Sequence, residues 1–230
     1  MKTSVICLFL LVSFVLSQEE PEPAKPVWPL KFSQDFIETF YGSTNHTSVG
    51  GYYYDYTTYS TRLIRSNGKY DQTCNGYKQY NETNHVCEQL IVGENRFNYY
   101  PDDNDCCWCC NEQQGCGALK PHWLQKSTFQ GKTTLYGQEA YQWLIVELPN
   151  IRNIVWETTE ENPLERTLLK IQRGSYDEVF LAETRRLDDF NPITVPSVCD
   201  VNNICPRGLC QYFREQAANM TAAHGHAHSH

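Results

Sequence analysis

Five cysteines fall within the eleven residues from Cys106 to Cys116, in the stretch DCCWCCNEQQGC, where two adjacent pairs flank Trp108. Three chemistries use such a cluster: zinc ligation by thiolates, dithiol redox exchange, or anchoring of a disulfide network. Structural zinc sites space two CxxC-like pairs by a finger-length loop in a reducing compartment. Here all the ligands would come from one crowded segment. A redox CxxC is present between Cys106 and Cys109 and again between Cys107 and Cys110, but no βαβ pattern surrounds it. The neighbouring charges are Asp102, Asp103, Asp105 and Glu112, which raise a thiol pKa and disfavour the reactive thiolate. Gln114-Gly115-Cys116-Gly117 is similar to the surroundings of a papain-type nucleophile, yet the distant histidine which that chemistry needs is missing.

The compartment favours disulfides. The chain opens MKTSVICLFLLVSFVLS, with Lys2 ahead of an apolar run from Val5 to Leu16 and small residues after it. That is a secretory signal over residues 1–17, shorter than the ~20 apolar residues that span a bilayer. No other stretch approaches that length, so a soluble, extracellular protein is expected. Cys7 leaves with the signal, and ten cysteines remain: Cys74, Cys87, Cys106, Cys107, Cys109, Cys110, Cys116, Cys199, Cys205 and Cys210. An even set in an oxidising route is expected to pair. Roughly a thousand pairings exist, so the connectivity stays open. Adjacent cysteines rarely bond each other, so each pair is expected to send its sulfurs in different directions and tie one loop to several strands.

Other side chains offer weaker chemistry. Asn45-His46-Thr47 and Asn81-Glu82-Thr83 are glycosylation sequons between predicted strands, and Asn219-Met220-Thr221 is a third near the C-terminus. The end HGHAHSH places His224, His226, His228 and His230 at alternate positions, able to hold a divalent transition metal, or simply a solvated tail. Asp102, Asp103 and Asp105, and separately Glu157, Glu160 and Glu161, form oxygen-rich stretches. Calcium takes about six to eight such ligands, and no EF-hand spacing is present. No HExxH, GxSxG, Walker or GxGxxG motif occurs, so no enzymatic activity is expected and no catalytic residue is assigned.

The elements that must hold these residues read as β. The chain has 15 Tyr, 10 Phe and 5 Trp, residues that pack well on a pleated surface. Its net charge is −8, with no basic stripe to engage nucleic acid or an anionic membrane. Residues 18–29 carry four prolines and three glutamates and read as an extended arm before a single domain over 30–210. Phe32, Phe36 and Phe40 share one side of an extended segment, followed by strands opening at Tyr52 and Ser60. Asn67-Gly68 predicts a type I′ hairpin turn, and Val86–Val92 with Arg96–Tyr100 a hairpin around Gly93-Glu94-Asn95. Pro121–Phe129 reads as a short helix with Trp123, Leu124 and Phe129 inward. Strands are predicted at 138–148, 152–157, 166–173 and 179–183, the first apolar enough for burial on both faces. After Cys210 a short helix over 211–218 is expected to decay into a flexible, histidine-containing tail. The whole predicts a mainly β protein, a curved antiparallel sheet or half-barrel with one or two short helices, stapled by disulfides.

Two segments resemble the ependymin-related family of secreted proteins, which shares the fold type of bacterial lipoprotein carriers. They are Gly51-Tyr52-Tyr53-Tyr54-Asp55 with Thr61-Arg62-Leu63-Ile64-Arg65, and the closing Phe190-Asn191-Pro192-Ile193-Thr194-Val195-Pro196-Ser197-Val198-Cys199. The cluster from Cys106 to Cys116 departs from the vertebrate members. The resemblance implies a glycosylated extracellular protein, often dimeric, with calcium association and an apolar or lipid ligand inside a curved sheet. Tyr53, Phe97, Tyr99, Trp143 and Trp156 are the expected pocket lining. The competing expectation is a structural or adhesive surface glycoprotein whose interior is filled by its own side chains; a secreted hydrolase is a remote third.

Overall fold

Apolar and aromatic residues at a period of two carry most of the chain into strands, and in the computed structural model they form a single sheet. Residues 21–41, 46–76, 80, 83–148, 151–187 and 189–225 are described; the signal segment, Asn45, Asn81 and His226, His228 and His230 lie outside them. The strands are β1 (Lys31–Phe40), β2 (His46–Asp55), β3 (Ser60–Arg65), β4 (Cys87–Val92), β5 (Asn95–Tyr100), β6 (Asp105–Asn111), β7 (Thr128–Leu135), β8 (Gln138–Leu148), β9 (Ile151–Glu157), β10 (Leu168–Arg173) and β11 (Tyr176–Phe180). One α-helix among the described residues, α1 (Gly208–Gly225), follows.

All pairings between these strands are antiparallel, and the order is β6-β5-β4-β3-β2-β1-β11-β10-β9-β8-β7. The chain enters at the centre, meanders to one edge, crosses through residues 112–127 to the other edge, and meanders back until β11 meets β1. Curvature follows from one fact. Arg96 of β5 and Arg173 of β10 line the same cavity, although six strand spacings would separate them by roughly 29 Å in a flat sheet. The sheet is therefore an open half-barrel.

Its inner face is covered by the N-terminal arm, the 112–127 crossing and α1. Trp28 is buried there against Phe32, Tyr52, Tyr54 and Trp123, with ring centroids 5.2–5.9 Å away. Its N–H donates to Pro121 O at 3.0 Å, and Arg166 Nη1 donates to Ala24 O at 2.7 Å. The arm is thus part of the core from residue 24 on, where the sequence predicted a spacer: a proline-rich strand has few backbone donors to satisfy, so it can lie across a sheet. Phe36, Leu124, Trp143, Val155, Ile171 and Phe180 complete this core. The outer face carries a smaller one, Leu90, Phe97 and Cys106, under Ile193, Val195 and Val198 of the closing segment.

Several local expectations give way. Pro121 to Lys126 forms turns, and Phe129 belongs to β7, because Thr128 to Thr134 alternates in period two against β8. Asn67-Gly68 opens a 20-residue excursion held by Cys74–Cys87, since β4 starts only at Cys87; the other predicted hairpin does form at Gly93-Glu94, with Gly93 at φ 58°. Strand β8 alternates rather than burying both faces: Trp143 and Ile145 are buried and Val146 is 58% exposed. The C-terminal helix starts earlier and runs longer than predicted. Cys210 tethers its first turn, Phe213 packs on the cystine cluster, and alanines carry it on.

Candidate functional site

The cysteine cluster is a strand, β6, and not a loop. Its register on β5 sets Cys106 and Trp108 opposite Tyr99 and Phe97, and Cys107 opposite Asn98. Successive side chains of a strand point to opposite faces, so Cys106 reaches Cys199 on the outer side and Cys107 reaches Cys205. A bulge then shifts the register between Arg96 and Phe97. It puts the neighbours Cys109 and Cys110 on one side, sulfurs 3.5 Å apart, where Cys109 bonds Cys210 and Cys110 bonds Cys116. With Cys74–Cys87 that makes five cystines from ten cysteines. Cys110 finds its partner in the 112–127 crossing, and Cys106, Cys107 and Cys109 find theirs in the C-terminal segment and α1 rather than in several strands. This segment also covers the sheet edge, because Trp108 N donates to Asn203 O at 2.6 Å and Cys205 N to Trp108 O at 2.9 Å. Among the described residues, Cys109, Cys110 and Cys116 are the only group of three or more potential ligands within 4.8 Å of one another, and all three are oxidised.

The acidic stretches are spread out. Asp102 and Asp103 sit in a single turn, Asp105 accepts from Tyr80 Oη at 3.0 Å, and Asp103 lies 3.6 Å from His85. Glu157 is buried and accepts from Trp143 Nε1 at 3.0 Å and Arg166 Nη1 at 2.9 Å. Burial outweighs these donors and pushes its carboxyl up to about 7. Asn219 is exposed on α1, and His224 is in the same helix.

The five aromatic residues expected to line a pocket do not come together. Tyr53 and Tyr99 border a groove of about 430 Å³ on the outer face, with Arg62, Glu88, Leu90, residues 190–194 and Pro196. Phe97 is buried beneath the closing segment. Trp143 fills the inner core, and Trp156 packs with Ala140 and Leu169 in a separate outer cluster. Aromatic content identified strands, not which side of each faces the interior.

A second cavity lies on the inner face, between the sheet, the 112–127 crossing and α1. It measures about 180 Å³. Leu63 and Ile91 from β3 and β4, Leu119 from the crossing, Ile171 from β10, and Leu209 and Phe213 from α1 give it apolar walls. Arg65, Arg96 and Arg173 also reach it, with Asp71, Tyr52, Tyr176, Trp123 and Asn153.

Arg65 is paired through Nε and Nη2. It donates to Glu38 at 2.9–3.1 Å and to Glu178 at 3.2 Å, and lies 3.3 Å from Asp71. Burial works against its charge, but the three carboxylates outweigh it and hold the pKa above its ordinary value. Burial in turn raises the Glu38 carboxyl. Arg96 is different: its guanidinium faces the Phe213 ring at 6.0 Å and, among the described residues, forms no ion pair. Burial, with the like charges of Arg173 and Arg65, lowers its pKa to about 10. The signal for these residues was in the sequence as arginines at inward positions: Arg65 shares its face of β3 with Thr61 and Leu63, and Arg96 its face of β5 with Asn98 and Tyr100.

No family model matches the chain, and no curated protein matches it. Among solved structures, it is similar to an uncharacterized conserved protein from Thermus thermophilus, at 6% identity over 70% of this chain and 80% of that one. The TM-score of 0.43 is too low to carry an argument about fold or activity.

Proposed function

We propose that this protein is a secreted, disulfide-bonded glycoprotein that binds a lipid-like or other apolar ligand inside its half-barrel. The observation that carries the reading is the 180 Å³ inner cavity, walled by Leu63, Ile91, Leu119, Ile171, Leu209 and Phe213. Each methylene moved from water into such walls gains ~0.8 kcal/mol. The volume exceeds the ~150 Å³ of an engineered cavity that binds benzene, and is smaller than the ~300–1,000 Å³ of drug-sized sites. The enclosed part of a ligand is therefore short. Ten cysteines paired as cystines accord with an oxidising compartment. Glycans on Asn45, Asn81 and Asn219 belong to the same proposal.

One observation favours a second reading, a structural or adhesive glycoprotein without ligand. Much of the inner face is filled by the protein's own Trp28, Phe32, Tyr54, Leu124 and Trp143. Native mass spectrometry of protein secreted from a eukaryotic host, followed by organic extraction, separates the two and reads subunit number and glycan mass together. Discrete extractable adducts are expected. A protein mass that stays free of adducts after incubation with fatty acids and phospholipids would replace the carrier reading with the structural one.

A further inference from the structure

Three buried atoms that can only donate hydrogen bonds belong to residues lining the inner cavity, and among the described residues none has a partner: Arg65 Nη1, Arg96 Nε and Trp123 Nε1. A buried donor without an acceptor destabilises the fold, so a native fold keeps such groups where something meets them. Of the lining atoms that can only accept, Asn153 Oδ1 alone lacks a donor. The surplus is one of donors.

Charge points the same way. The carboxylates around the cavity are already committed. Glu38 and Glu178 hold Arg65, and Glu178 also lies 3.6 Å from Arg173. Asp71 lies against Arg65 and accepts from Gln89 Nε2 at 2.8 Å and from the backbone of Thr73 and Cys74. Nothing of opposite charge is left for Arg96. Its position is fixed by β5 below and Phe213 of α1 at 6.0 Å, and Trp123 is held by edge contact with Trp28 at 5.2 Å.

We infer that the ligand of this cavity is an amphiphile with an anionic head, a carboxylate or phosphate drawn to the Arg96 guanidinium beside Trp123 and Arg65, with its first carbons against Leu63, Ile91, Leu209 and Phe213. This rests on the apolar-ligand reading and specifies its polar end. A planar guanidinium matches both head groups, since each presents oxygens to a two-pronged donor. The aliphatic and aromatic walls exclude water, which strengthens the charged contact and makes a neutral head a poor substitute.

The test is isothermal titration of the intact, fully oxidised protein with octanoate, octyl phosphate and 1-octanol, with acetate and inorganic phosphate as chain-free anions. Octanoate, octyl phosphate or both are expected to bind at least about tenfold more tightly than octanol, and the tighter of the two names the head group. In Arg96→Leu that preference should vanish while octanol affinity is kept, and Arg96→Lys should restore part of it. Octanol binding as well as both anions would overturn the anionic head and leave the apolar reading standing, and this comparison needs no variant. Acetate or phosphate binding as tightly as the octyl compounds would overturn the amphiphile. Absence of binding by all three octyl compounds would overturn the apolar reading and this inference together.

Discussion

Glu157 is held between Trp143 and Arg166 inside the protein, and its carboxyl titrates at about 7 because burial penalises its charge more than its donors favour it. Glu38, beside Arg65, is raised for the same leading reason. A carboxyl whose folded pKa lies above its unfolded value of about 4.5 favours the folded state while protonated. That contribution is complete below about pH 4.5 and is lost as pH rises toward 7. For Glu157 the loss is at most about 3 kcal/mol. The melting temperature is therefore expected to fall between pH 5 and pH 8. In Glu157→Gln, whose amide oxygen can still accept from Trp143 and Arg166, the fall should be clearly shallower. A variant that loses as much stability across that range as the parent would show that Glu157 does not titrate there. Neither carboxyl was legible as unusual in the sequence. Glu157 was read with Glu160 and Glu161 as a solvated acidic stretch, because local charge gives no account of which member a strand turns inward.

At the scale of elements, β6 is tied to one segment by three cystines side by side, Cys106–Cys199, Cys107–Cys205 and Cys109–Cys210, with sequence separations of 93, 98 and 101 residues. A single cross-link closing a loop of that size removes about 4.7 kcal/mol of unfolded-state freedom. Three closing nearly the same loop cannot each do so, because any two keep it closed when the third is cut. Alanine replacement of both cysteines of Cys107–Cys205 is expected to cost about 2–3 kcal/mol, the value of the short ring its neighbours leave. Removing all three should cost more than the sum of the single losses. Guanidinium unfolding at fixed pH measures both, and additive costs would refute the shared loop. The hairpins of this sheet were readable where the turn chemistry was local, as at Gly93-Glu94. Asn67-Gly68 misled because Cys74–Cys87 and Asp71 organise that connection from a distance.

Over the whole molecule, two meanders share a single strand pairing, β1 with β11, and the two open edges differ. The β6 edge is capped by backbone bonds to Asn203 and Cys205; β7 is the last strand of the opposite edge, with Thr128, Gln130, Lys132 and Thr134 exposed. Hydrogen exchange is expected to be slow in β1, β2 and β11, slow in β6 and fast in β7. Exchange in β6 as fast as in β7 would mean that the C-terminal cap is loose. The mainly β class and the meander were legible because alternation and aromatic content act locally. The cavity was not, since its lining is drawn from β2–β5, the crossing, β9–β11 and α1, and their convergence depends on curvature that no local pattern encodes.

The spacing of the cystines also imposes an order on biosynthesis. Cys74–Cys87 and Cys110–Cys116 can close soon after their own residues emerge, 13 and 6 positions apart. Cys106, Cys107 and Cys109 must wait for partners that follow 93 to 101 residues later, roughly 5–20 s at ordinary elongation rates. Through that interval the nascent chain carries three free thiols within four positions. They close only when the last stretch arrives, so a chain cut short before Cys199 would keep all three as thiols, a chemical tag that tells an unfinished product from a complete one.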